Sequence, residues 1–364
     1  MKVLLLIDNL GSGGAQRQII LLAKGLMDNK VDVHLMTYNS GDYFLNYIKD
    51  NKINHFHIPK NGRIGLNVVI ELIKKIRKNK YDFVISFLHT PNFYNIISKL
   101  FAFTSTKHIT SERSKSEKKG IIFYKQLFTH LFSDHLICNS YHEGEFWIKN
   151  SVFLNKKVTV IYNGVELNLF NKRSYKSLNY KAIVVGSVGP SKNGICVLEA
   201  LKILKSEINF EITWLGNQVK HIKKYKEYLD IMNSFIEENN LQTSWKWELP
   251  IESINGKYHN YDFLILSSKV EGLPNVVCEA MASGTIVIIS NVLDHPHITD
   301  FGKFGILFDP NNSMELADSI RKFYLMDISD VDILSTNIHM RAHQLFSHEK
   351  MVNTYLSLLT QMKS

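Results

Sequence analysis

The chain has little of what builds an extracellular scaffold or a membrane anchor. It holds only three cysteines, Cys138, Cys196 and Cys278. They are far apart, odd in number and set among mostly apolar neighbours. A disulfide framework or zinc site is disfavoured, and buried reduced thiols are expected. Seven prolines are too few for long Pro-rich linkers. The N-terminus, MKVLLLIDNL, carries one lysine and a short apolar run that Asp8 ends. A signal-peptide core takes about 7–15 apolar residues, so this run reads as a strand and not as an export signal. No window reaches the roughly 20 apolar residues of a membrane span. The expectation is a cytoplasmic protein, with a peripheral position on the inner face of a membrane left open.

What is present is ordinary for a globular chain. Hydrophobic residues make up 45% and charged residues 21%, which excludes a largely disordered or collagen-like chain. At roughly 100–200 residues per domain, 364 residues imply about two domains. The net charge of +9 is unevenly placed. Residues 1–170 hold 23 Lys and Arg against 13 Asp and Glu, whereas residues 171–364 hold 20 against 21. All the basic excess lies in the first half, which points to an anionic partner there, nucleic acid or a membrane surface.

Short apolar runs alternate with amphipathic segments. Val3–Ile7 is continuously apolar, as in a strand buried on both faces of a parallel sheet. Residues 16–27 then read as a helix, 31–37 as a strand and 67–79 as a helix with lysines on its outer face. Residues 82–88, 107–110, 135–138 and 158–162 are further strand candidates. The same grammar restarts after residue 175. Strands are expected at 182–185, 210–215, 263–266 and 286–289, and helices at 194–205, 225–238 and near 276–283. This alternation predicts two doubly wound α/β domains facing across a cleft. Expected bounds are 1–170 and 171–345. The polar stretch 171–179 is the best linker, and the amphipathic segment 346–364 should pack back on the first domain.

Three loops carry chemistry. The strongest is EGLPNVVCE, with Glu271 after a strand and Glu279 in the first turns of the next helix. Gly272 and Pro274 shape the turn. Backbone N–H groups at Leu273, Asn275 and Val276 lead the helix, a natural diphosphate site. Carboxylates beside bound phosphates are tolerable only when they bond neutral hydroxyls, such as those of a sugar and a ribose. The competing reading is a solvated turn with a surface glutamate at each end. The second loop is GSVGPSKNG at 186–194, whose glycines permit close backbone approach and whose Lys192 offers a point charge. A surface lysine in a turn explains it equally well. The third, GSGG at 11–14, opens a helix after the first strand. Its spacing is not G-x-G-x-x-G and no acidic residue closes the second strand, which disfavours a nicotinamide enzyme.

In this order the motifs resemble the retaining glycosyltransferases of family 4, with the GT-B fold. EGLPNVVCEAMASGTIVI resembles that family's E-x7-E element, and GSGGAQRQIILLAKGL its N-terminal glycine-rich loop and first helix. CNS at 138–140, VIYNGVELNLF at 160–170, FGILFDP at 304–310 and ELADSI at 315–320 match further segments. The resemblance implies a donor site in the C-terminal domain. There Glu279 would hold the ribose, Glu271 the donor sugar, the 272–276 backbone the diphosphate, and Lys192 the charge on the leaving group. Gly13 and Gly14 would let the N-terminal loop approach the same phosphates. No metal or other cofactor is implied. The implied reaction moves a hexose or N-acetylhexosamine from a nucleotide-sugar, expected to be a UDP-sugar, to a glycan acceptor, expected to be lipid-linked. Cell-surface polysaccharide or lipopolysaccharide synthesis is the expected setting.

The sequence departs from that pattern twice. Ser187 stands where an arginine commonly follows the glycine of the second loop, leaving Lys192 as the expected phosphate cation. Where many members carry a histidine, the chain reads TSER, so Arg113 is expected to orient donor hydroxyls or phosphate. It cannot act as a base. The alternative for Arg113 is a salt bridge to Glu112 or Glu117. His89, ending a strand, is a candidate for the acceptor side or a satisfied structural histidine. The stretch KSEKKGIIFYKQLFTHLF at 115–132 mixes lysines with Ile121, Ile122, Phe123, Tyr124, Leu127, Phe128 and Phe132. That mixture suits an anionic membrane surface, and no nucleic-acid motif accompanies it. A non-catalytic GT-B partner subunit or sugar-binding protein, and a GT-B epimerase or phosphorylase, are the alternative readings.

Overall fold

The computed structural model describes every residue except Ser114, Lys115, Lys119, Glu252, Ser253 and Ser364. The chain divides into two compact units: residues 1–164 with 348–364, and residues 165–347.

The first unit is built on seven strands: β1 Lys2–Leu6, β2 Asp32–Thr37, β3 Asn54–His57, β4 Phe83–Phe87, β5 Lys107–Glu112, β6 His135–Cys138 and β7 Val158–Val160. All pair in parallel, in the order β3-β2-β1-β4-β5-β6-β7. Six helices connect them: α1 Gly14–Asp28, α2 Leu45–Asp50, α3 Leu66–Asn79, α4 His89–Ala102, α5 Gly120–Phe132 and α6 Tyr141–Asn150. Buried residues alternate between two faces of β1. Val3 and Leu5 join the α1 side, while Leu4 and Leu6 join the α3 side with Val68, Val69 and Leu72. Helices on both faces explain why this strand has no polar face.

The second unit repeats the plan with six parallel strands: β8 Lys181–Val185, β9 Glu211–Leu215, β10 Trp245–Glu248, β11 Phe263–Leu266, β12 Ile286–Ser290 and β13 Ile306–Phe308. Their order is β10-β9-β8-β11-β12-β13. The helices are α7 Gly194–Leu204, α8 Lys223–Glu238, α9 Asn275–Ala282, α10 His295–Ile298, α11 Ser313–Tyr324 and α12 Ile328–Phe346. The strand order of each sheet reverses once, between β1 and β4 and between β8 and β11. In open parallel sheets the carboxyl ends of strands at such a reversal are the ligand-binding edge.

The expected linker at 171–179 is corrected. It is fastened to the second unit by residues remote in sequence. Arg173 is buried, donates to the Tyr261 carbonyl and pairs with Asp262 at 3.1 Å. Tyr175 is buried as well, and its hydroxyl donates to the Asp262 carbonyl at 2.5 Å. The division instead falls between Gly164 and Val165. The last helix, α13 His348–Lys363, belongs to the first unit. Its Met351, Val352, Tyr355, Leu358 and Leu359 enter the core that contains the inner face of α1. Gly25 makes this approach possible, because a Cβ there would fall 2.2 Å from Val352 Cγ2.

Candidate active site

In the second unit, the loops after β8 and β11 leave the sheet at its reversal point. The first carries Gly186–Lys192 and ends in a short turn over Pro190–Lys192. Its backbone is locked against the neighbouring strand ends. Gly186 N donates to Leu215 O at 3.0 Å, Val188 N to Asn217 O at 2.9 Å, and Trp214 Nε1 to Gly186 O at 2.8 Å. Gly186 has φ +143, a conformation that side-chain-bearing residues rarely adopt. A Cβ there would also meet the stem of Lys192 at 3.1 Å. The glycine thus lets the lysine lie across the loop. Tyr225, the third residue of α8, packs on Gly189 in the same way.

The second loop is tied to the first. Lys269 N donates to Ser191 O at 3.0 Å and Ser267 Oγ to Lys192 O at 2.8 Å. These bonds bring Lys192 and Glu271 together: Lys192 Nζ donates to Glu271 Oε1 at 2.5 Å, with both side chains partly exposed. Gly272, Leu273 and Pro274 then lead into α9, where Pro274 O accepts from Val277 N at 3.0 Å. Asn275 and Val276 form the first turn of that helix, and both are half-buried. Glu279 follows one turn later. It is buried, and its Oε2 lies 3.4 Å from the Tyr258 hydroxyl, which also donates to Val276 O at 3.2 Å. Tyr258 had no local signal in the sequence. It sits in a short turn before β11 and fixes the glutamate from below.

The structure therefore brings Lys192, Glu271, Gly272, Leu273, Pro274, Asn275, Val276 and Glu279 to one edge of one sheet. Ser187 is exposed in the same glycine loop. Gly13, Gly14, His89 and Arg113 belong to the first unit. Gly13 precedes α1, and Gly14 is its first residue. A Cβ at Gly13 would strike Gln16 Oε1 at 2.1 Å; that side chain donates to Asp8 at 3.2 Å and braces the loop.

Arg113 is held by buried partners within the first unit. Its guanidinium is buried and stacks 3.9 Å above the Phe87 ring. Nη1 donates to Asn163 Oδ1 at 2.9 Å and Nη2 to the Tyr355 hydroxyl at 2.6 Å. Neither Glu112 nor Glu117 is its hydrogen-bond partner in these contacts. Arg113 ties the last helix to the end of β5.

His89 begins α4 and is exposed, beside a fully buried carboxylate, Glu112, that sequence reading treated only as a partner for Arg113. The three cysteines are free and buried. Burial pushes the Cys196 thiol up to about 12, the state of an inert core thiol. Among the described residues no group of three His, Cys, Asp or Glu could hold a metal ion, and no helix is long and apolar enough to cross a membrane. Helix α5 exposes Ile121, Ile122, Tyr124 and Phe132, while Phe123 turns inward and stacks on Trp147 at 5.9 Å. Lys115 and Lys119 of the basic segment lie outside the described residues.

Residues 12–169 match the family model described as Glycosyltransferase Family 4. Residues 168–338 match the model described as Glycosyl transferases group 1. The capsular polysaccharide biosynthesis glycosyltransferase CapH of Staphylococcus aureus is 28% identical over 57% of this chain and 57% of its own length. The chain thus spans a little over half of that relative. A UDP-Gal:alpha-D-GlcNAc-diphosphoundecaprenol alpha-1,3-galactosyltransferase of Escherichia coli is 24% identical over 96% of this chain and 94% of its own. Among solved structures, Anabaena HepE in complex with UDP and glucose superposes with a TM-score of 0.86. It has 18% identity and covers 99% of this chain and 100% of that one. With its two units matched in order by the two models, the chain belongs to the family 4, group 1 glycosyltransferases of the GT-B fold.

Proposed function

We propose that the chain is a retaining glycosyltransferase that moves a hexose or N-acetylhexosamine from a UDP-sugar to a lipid-linked glycan in polysaccharide assembly. The observation that carries this reading is the Lys192–Glu271 pair at the sheet reversal, one loop away from the N-terminus of α9 and Glu279. A lysine and the start of a helix supply positive potential for a diphosphate. Glu279, held by Tyr258, suits ribose hydroxyls, and Glu271 suits sugar hydroxyls. In the proposed step the bond from the sugar C1 to the diphosphate oxygen breaks. The acceptor oxygen bonds to C1 on the same face, and its proton passes to the departing diphosphate. Lys192 and the helix N-terminus stabilise the charge that builds on that oxygen, so the proposed reaction calls on no metal or prosthetic group. The printed activity of the E. coli relative, UDP-Gal with a diphosphoundecaprenol-linked sugar, supports the choice of UDP and of a lipid-linked acceptor. The bound UDP of HepE supports the first of these.

The exposed apolar residues of α5 support a further part of the reading, a cytoplasmic leaflet of anionic lipid as the working surface. Ile121, Ile122 and Tyr124 stand among lysines on a unit whose charge is strongly positive.

A thermal-shift screen of UDP-, GDP- and ADP-sugars, followed by turnover with membrane lipid extract, tests the reading. UDP-sugars should stabilise the protein most, and UDP should be released only when extract is present. Absence of any nucleotide-dependent shift would overturn it. Vesicles containing phosphatidylglycerol should retain the protein and lose it when Ile121 and Tyr124 become Ser. Unchanged retention would remove α5 as the docking element.

A further inference from the structure

The amino ends of β8 and β9 border a cavity that lies away from the donor site. The two strands run from Lys181 and Glu211 towards Gly186 and Gly216. This edge of the second sheet is therefore opposite to the one that bears Lys192 and Glu271. The cavity measures 590 Å³ and lies between Tyr180, residues 207–209 and the end of α11 at Arg321, Tyr324 and Leu325. Its walls are fixed by partners remote in sequence. Arg321 forks onto Glu207, 114 positions away, with Nε donating to Oε2 at 2.7 Å and Nη2 to Oε1 at 2.9 Å. That fork fastens the loop before β9 to α11. Tyr324 packs among Phe210, Phe263 and Phe323, with ring centroids 5.9, 5.8 and 5.2 Å away.

Tyr180 lies flat on Tyr324, with centroids 5.0 Å apart and planes 11° apart. Even so, it is 48% exposed, and its backbone takes φ +53, a conformation that bulky residues rarely adopt. Leu325, which caps α11, is 79% exposed. An exposed aromatic ring on a strained backbone beside an exposed leucine adds little to stability, and strain of this kind collects at ligand sites. The polar groups of the cavity are planar and keep bonding capacity. A guanidinium has five N–H donors. Those of Arg321 engage Glu207 twice and Asp318 once, which leaves the others open. Each Glu207 oxygen accepts one of these bonds and retains a further lone pair. Asn209 adds an exposed amide, at once donor and acceptor. The positive charge of Arg321 is matched by Glu207 and Asp318, so this group offers no unpaired cation.

We propose that this cavity is a non-catalytic binding site for a neutral mono- or disaccharide unit of a glycan, with the Tyr180 ring as its platform. The C–H face of a sugar packs on aromatic and aliphatic surface, here Tyr180, Ile208 and Leu325. Its hydroxyls both donate and accept, as the open positions of Asn209, Glu207 and Arg321 require. Pockets for drug-sized ligands run to roughly 300–1,000 Å³, a range that includes this cavity and gives room for two rings. A phosphate or other anion would meet two carboxylates and one arginine already paired with them. The site goes beyond the proposed transfer reaction and does not depend on it, because it occupies the other end of the strands. A glycan held there leaves the carboxyl edge of the second unit free.

The test uses the full chain in excess UDP, with lactose, maltose and N,N′-diacetylchitobiose as probes. The δ1-methyl signal of Ile208 is followed by NMR and assigned by its loss in Ile208→Val. At least one disaccharide should shift that signal saturably, and uridine and pyrophosphate should not. Tyr180→Asn replaces the platform with a residue that tolerates positive φ, so the shift should disappear. Leu325→Trp, at an exposed position, should block the cavity without disturbing any buried contact. Arg321→Lys keeps the charge but loses the fork and should weaken binding about tenfold, the scale of a hydrogen bond to a charged group. UDP affinity should be unchanged in all three variants, which a general folding defect would not allow. No saturable shift with any disaccharide, a response to uridine or pyrophosphate in their place, or an undiminished response in Tyr180→Asn or Leu325→Trp would overturn the proposal. Failure of the wild type to bind UDP would instead strike the donor reading and leave the saccharide result standing.

Discussion

Lys192 Nζ and Glu271 Oε1 lie 2.5 Å apart although their residues are 79 positions apart in the chain. The pair neutralises the one cation of the 186–194 loop at the place proposed for a diphosphate. An arriving diphosphate therefore competes with the carboxylate for the lysine. Glu271→Gln should tighten UDP binding by up to about fivefold, since partly exposed pairs are worth roughly 0.2–1 kcal/mol. The same substitution should lower transfer on the order of 10²–10³ if the carboxylate acts in the transition state. Lys192→Ala should weaken both. Calorimetry with UDP and an assay of UDP release read the two effects separately. UDP affinity and turnover that both match the wild type in Glu271→Gln would remove the pair from the site.

Gly216 limits the shape of that site from the neighbouring strand. A Cβ at 216 would fall 1.9 Å from the Gly186 carbonyl oxygen, which Trp214 Nε1 already holds at 2.8 Å. The clash is with backbone, so no side chain can swing away. Gly216→Ala should destabilise the protein by about 1–3 kcal/mol, the scale of core overpacking, and abolish UDP binding. Gly256 makes the control: its φ is −81 and no atom of the described residues lies within 4 Å of a Cβ there. Gly256→Ala should stay within roughly ±0.5 kcal/mol. Urea unfolding of the two variants gives the comparison.

Legibility in the sequence followed locality. β1, β4, β11 and β12 announce themselves as apolar runs because successive residues, facing both sides of the sheet, are buried. The edge strands β3 and β10 are short and partly polar, β13 is only three residues long, and the alternating pattern in Trp245–Glu248 is too brief to separate from a turn. The donor-site block was readable for the same reason, since Glu271 through Glu279 spans one loop and one helix start. The roles of Arg113 and Arg173 were not readable. Their partners, Tyr355 and Asp262, stand 242 and 89 positions away. A polar stretch reads as a linker until the fold shows that a buried aspartate holds it. Glu112 was hidden likewise: only pairing of β4 with β5 brings it beside His89.

Acid stability should report the buried state of Glu112. Its carboxyl is held at about 2 against an ordinary value of 4.5. A carboxyl depressed on folding contributes stability above its unfolded value and loses it as pH falls through its folded value. The contribution is therefore lost between about pH 4.5 and about pH 2. Glu143 works in the opposite sense. Burial raises it to about 7 despite bonds from Ser116 and Trp147, so its contribution falls as pH rises from 4.5 towards 7. Glu112→Gln should flatten the acid limb of the melting temperature against pH and leave the Glu143 limb in place. An acid limb identical to that of the wild type would show that Glu112 is not held ionised.

Tyr355 and Arg113 decide whether the arginine after β5 binds substrate or holds the fold. The Tyr355 hydroxyl accepts from Arg113 Nη2 at 2.6 Å, and both residues are buried. Tyr355→Phe keeps the ring but strands a buried guanidinium N–H, at a cost of about 1–3 kcal/mol. The loss should come entirely from the unit that α13 completes, so UDP affinity should not change. Arg113→Ala removes the stacking over Phe87 as well and should destabilise further. The ordering matters more than either number. A structural tie predicts falling stability with donor binding intact in both variants. A donor-orienting arginine predicts lost turnover at wild-type stability in Arg113→Ala, with Tyr355→Phe nearly silent. Urea unfolding and UDP calorimetry on the same two proteins distinguish the outcomes, and the second pattern would return Arg113 to the catalytic set.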